Sequence, residues 1–63
     1  MKIEFTVHPD NIVEFAEILE THELENEITG TTQDNELLID VHYNKNNRSA
    51  IEELEELAVS DEE

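Results

Sequence analysis

Eighteen Asp and Glu side chains against three Lys and Arg, in a chain of 63 residues with net charge -15, leave few ways to build an interior. Every regular element must keep a charged face in water, because burying an unpaired carboxylate is strongly unfavourable. A chain this short buries only about 60% of the surface its unfolded form exposes, so a thin core with no large active-site cavity is expected. Leu, Ile, Val and Phe still supply 18 residues, about 29% of the chain and above the roughly 20% that marks disorder. The balance predicts one folded domain over residues 1–59 and a disordered acidic tail over 60–63, where Ser60, Asp61, Glu62 and Glu63 have nothing to bury.

The order of periodicities gives the fold class. Ile3, Phe5 and Val7 alternate with Lys2, Glu4 and Thr6, the period of a half-buried strand. Pro9 suits a first helical turn, where its missing N–H is not needed, and Asp10 suits the positive end of a helix dipole. A helix is predicted over 9–21, with Ile12, Phe15, Ala16 and Leu19 as its apolar stripe, widened by Val13 and Ile18. Residues 24–32 alternate more weakly and read as a second strand. Asp34-Asn35 tolerates left-handed backbone and marks a hairpin turn. Leu37, Ile39, Val41 and Tyr43 then give the clearest strand of the chain, the expected centre of the sheet. Ser49-Ala50-Ile51-Glu52 has the form of a capping box, with Asn47 as the other candidate cap. The helix that follows carries Ile51, Leu54, Leu57 and Ala58 on one face, and it lacks lysines placed to pair its glutamates.

A β-α-β-β-α order with two one-sided helices predicts an α+β two-layer sandwich. Its three-stranded antiparallel sheet has the order 1-3-2, and both helices lie on one face. A right-handed crossover from the first strand to the second leaves the gap that the third fills. This is a ferredoxin-like plan short of its last strand, and so many functions share that plan that it carries none by itself.

The residue types exclude several chemistries. Without cysteine there is no disulfide framework, thiolate zinc site or thiol nucleophile. His8, His22 and His42 lack any His-x-x-x-His spacing. Only His8 and His42 could meet, on the outer sheet face, and solvent-exposed histidines are the expectation, with no metal and no cofactor. No Asp-rich calcium loop is present. Asp40 with a neighbouring Glu or His could form an acid and base pair, but such a pair requires a pocket to tune it. A non-enzymatic protein with no catalytic residues is expected. Asn47-Arg48-Ser49 matches a glycosylation acceptor, although helix capping accounts for the same residues. No apolar stretch approaches the roughly 18 residues of a membrane span, and none resembles the core of a secretion signal, which predicts a cytoplasmic location.

Charge therefore carries most of the functional expectation. It repels phosphate backbones and anionic lipid, which excludes direct nucleic-acid and membrane binding. Carboxylates three or four residues apart on a helix lie about 5 to 6 Å apart, close to phosphate spacing. Asp10, Glu14 and Glu17 on the first helix, with Glu52, Glu53, Glu55 and Glu56 on the second, are the candidate surface for a basic protein, including one that normally holds nucleic acid. The alternative is a homodimeric structural or regulatory module, with charge serving only solubility. It would join through the open edge of the first strand at Lys2, Glu4 and Thr6.

Overall fold

The computed structural model describes the backbone of residues 1–62 and the side chains of residues 1–60. Four strands and two helices follow in the order β1 (Lys2–Val7), α1 (Ile12–Thr21), β2 (Glu25–Thr31), β3 (Leu37–His42), α2 (Arg48–Leu57) and β4 (Val59–Glu62). The sheet is antiparallel with the order β2-β3-β1-β4. The expected α+β class and the 1-3-2 neighbours hold, and the three-strand count is corrected to four. The last strand completes the ferredoxin-like plan. As far as Glu62, the segment expected as a tail is this strand; Glu63 lies outside the described residues.

Ile3, Phe5 and Val7 of β1 and Ile39 and Val41 of β3 point to one face, where they meet Phe15 and Leu19 of α1 and Ala50, Ile51 and Leu54 of α2 in one core. Phe5 and Phe15 stand edge to face with ring centres 5.1 Å apart, the arrangement favoured by the ring quadrupoles. Both helices therefore cover a single side of the sheet, and the other side is open to solvent. They run antiparallel. The Asn11 amide donates to the Leu57 carbonyl at 3.1 Å, tying the start of α1 to the end of α2. Among the described residues no helix is long and apolar enough to cross a membrane.

Local departures from the expected elements have identifiable causes. Pro9–Asn11 forms a separate 3₁₀ turn ahead of α1, with the His8 imidazole Nδ1 accepting from the Asp10 N–H at 3.1 Å. The α1 stripe is rotated, so that Ala16 and Val13 are exposed while Ile12 and Ile18 pack against the core. The Ser49 capping box does not form at α2, and Asn47 occupies the N-cap position without a side-chain capping hydrogen bond. Asn44 and Asn47 instead build a reciprocal capping box around the 3₁₀ turn Lys45–Asn47, leaving Ser49 exposed in the first turn of the helix. The hairpin turn between β2 and β3 forms as expected. Asn35 takes φ 63°, and the Thr32 hydroxyl accepts from the N–H groups of Asp34 and Glu36.

Candidate functional site

The seven carboxylates expected to form one acidic surface are divided among several places. Glu14 and Glu17 of α1 face Glu53 of α2 across a shallow cleft of about 320 Å³, floored by Ile18 and Thr21. His22, which follows the last turn of α1, reaches into the same cleft with Nε2 3.3 Å from Glu53 Oε2, a contact that becomes an ion pair when the imidazole is protonated. Glu52 and Glu55 turn the other way, toward Arg48, Ile3 and Ile51. Glu55 there accepts a hydrogen bond from the Ser60 hydroxyl of β4 at 3.2 Å. Glu56 lies near Thr6, His8 and Val59. Asp10 is exposed beside His8, whose Nδ1 lies 3.6 Å from its carboxylate. The division follows from helix geometry. Successive residues advance by about 100°, so four glutamates within five positions cannot all face one way.

A second acidic array was not identified from the sequence. In the sheet register Glu27 of β2 stands opposite Asp40 of β3, Asp40 opposite Glu4 of β1, and Glu4 opposite Asp61 of β4. Glu27, Asp40 and Glu4 thus form one row across the uncovered face. The next row is Glu25, His42 and Lys2. Lys2 Nζ comes within 3.6 Å of Asp40 Oδ2, on a carboxylate side chain only 15% exposed. The alternation within each strand already assigned Glu4 and Asp40 to the outer face. Which acid faces which depends on strand register, and single-strand patterns do not fix it.

The edge assigned to dimerisation is also relocated. β1 has β3 on one side and β4 on the other. Lys2, Glu4 and Thr6 therefore lie in the interior of the sheet, and the open edges are β2 and β4. His8 and His42 do not meet. His42 stands opposite Lys2, whereas His8 follows the far end of the same strand. Among the described residues no group of three or more His, Asp and Glu side chains is placed to hold a metal ion.

Chemically, the α1–α2 cleft offers three carboxylates around Ile18 and Thr21, one of them, Glu53, in contact with His22. That arrangement suits a lysine or arginine, whose stem can lie along Ile18 while its charged head reaches the acids. Neither Lys45, in the 3₁₀ turn, nor Arg48, at the start of α2, lines this cleft. Comparison with known proteins finds no family model, no curated protein and no solved structure that matches the chain.

Proposed function

We propose that this chain is a small, non-enzymatic, cytoplasmic interaction domain that binds a basic protein through its acidic helical side, occupying on that partner a surface otherwise used by nucleic acid. The observation that carries the reading is the α1–α2 cleft, in which Glu14, Glu17 and Glu53 surround Ile18. Glu14 and Glu17 are one turn apart, a spacing that sets Cβ atoms about 5 to 6 Å from one another on a helix, and a groove lined with lysine or arginine can accept such a pair in place of phosphates. Net charge -15 would steer such a partner from a distance, making association fast and strongly dependent on salt.

The test is affinity capture from the host lysate at low salt, with and without excess duplex DNA, using the parent chain and the variant E14Q/E17Q/E53Q. Glutamine keeps the helix propensity and removes the charge. The expected result is one basic nucleic-acid-binding protein that the parent recovers, that DNA displaces and that the variant does not recover, with the variant's thermal midpoint no lower than the parent's. Equal recovery by the variant, or recovery of nothing specific, overturns the assignment.

A further inference from the structure

The edge of β2 is a second surface with a chemistry of its own. Natural sheet edges are usually blunted by brevity, charged side chains, proline, a bulge or a cover; on β2 the guards are the acids Glu25 and Glu27 and a register shift between Ile28 and Gly30. β2 has seven residues, Glu25–Thr31, with neither proline nor lysine, and all but Gly30 are exposed. Among the described residues it pairs with β3 alone. In an antiparallel pair every second residue turns its N–H and C=O away from the neighbouring strand, so this edge presents backbone donors and acceptors to solvent.

Its side chains are distributed in a way that selects a partner. Glu25 and Glu27 share the open face with His42 and Asp40, their partners in register. Ile28 pairs with core residue Ile39 on the helix side, yet it remains 61% exposed because it stands at the rim of the sheet. A register shift between Ile28 and Gly30 interrupts the ladder, and such a bulge ends regular pairing. The regular stretch is therefore Glu25–Ile28. We propose that this stretch binds an extended basic segment of another protein as a fifth strand. Its lysine or arginine side chains would stand opposite Glu25 and Glu27, with an apolar side chain against Ile28.

Charge decides between this occupant and a second copy of the chain. Two copies would bring together two chains of net charge -15, and like charges across a strand pair are unfavourable. A basic strand turns the same carboxylates into attractive partners while its backbone completes the edge. The β2 edge and the α1–α2 cleft are separate surfaces and can fail separately.

The probe is a short peptide of alternating lysine and valine, read by amide hydrogen exchange across β2. A control peptide carries the same charges but has alternate backbone nitrogens methylated, so that it cannot pair. The expected result is that the parent peptide slows exchange of the β2 amides facing away from β3 by about tenfold, close to 1.4 kcal/mol of added protection. The methylated peptide should not slow them. E25Q/E27Q should lose the effect and E14Q/E17Q/E53Q should keep it; if the former unfolds, the methylated control still decides. Equal slowing by both peptides would reduce the effect to charge alone and overturn the strand. Protection without peptide that grows with protein concentration would give the edge to a second copy and overturn the basic partner. No slowing overturns both.

Discussion

Glu23 is held at φ 53°, in the left-handed region that favours glycine. The hydrogen bonds around it explain why. Its own N–H donates to the Glu20 carbonyl, and the Leu24 N–H reaches back to the Leu19 carbonyl at 2.9 Å, which together make a Schellman closure of α1. Leu19 and Leu24 both enter the core, so their burial holds the turn and Glu23 takes the strained position between them. A non-glycine residue in this conformation is disfavoured by about 1 to 2 kcal/mol. E23G is therefore expected to stabilise the fold by about 1 kcal/mol, with a thermal midpoint about 5 °C higher; an unchanged or lower midpoint in a calorimetric scan would contradict this. The two left-handed residues among those described differ in how far the sequence announces them. Asn35 is legible because Asp-Asn between two strand patterns is local turn chemistry. Glu23 is not, because the force that places it comes from two leucines whose burial depends on the finished core.

At the scale of elements, strand phase follows from side-chain alternation and strand register does not. Leu37, Ile39, Val41 and Tyr43 all turn inward as their alternation requires. β4 escaped reading because Ser60, Asp61 and Glu62 have no apolar alternation. The strand forms by backbone pairing along the open side of β1. On the uncovered face Glu4 of β1, Asp40 of β3 and Glu27 of β2 stand opposite one another in line. Opposed like charges in a sheet are unfavourable by a few tenths of a kcal/mol or more. E4K replaces the acid at the β1 end of this row with a cation and is expected to add about 0.5 kcal/mol, raising the thermal midpoint by about 3 °C. E4Q should give a smaller gain. If neither substitution raises the midpoint, the row is too well solvated to strain the sheet. The helices show the same division. The presence of both was legible from their periodicity, but the facing of α1 was not, since Val13, Ala16 and Ile18 compete for the stripe and only the finished core selects Ile18.

For the whole molecule, charge acts on the fold and on the proposed binding in opposite directions. Eighteen acids lie on a body with a Cα radius of gyration of 10.6 Å. At about 0.1 M salt the screening length is about 10 Å, so charges across much of the molecule repel one another; at about 1 M it falls to about 3 Å. Raising salt over that range is expected to lift the thermal midpoint by about 5 °C or more, while weakening capture of any basic partner. A midpoint that stays level under differential scanning would show that the carboxylates are spaced widely enough not to strain the fold. The candidate site was legible to the same degree as the charge. The identities of Glu14, Glu17 and Glu53 were readable from the sequence, but their meeting across Ile18 depends on how α1 and α2 cross. The β4–β1 pairing also has a topological consequence. Ile3 and Glu62 are opposite one another in adjacent strands, about 5 Å apart, so both ends of the described chain leave from one corner. A short peptide link could join them into a ring with the sheet undisturbed, and the Asp34-Asn35 turn, between β2 and β3, is where such a ring could be reopened to give new ends.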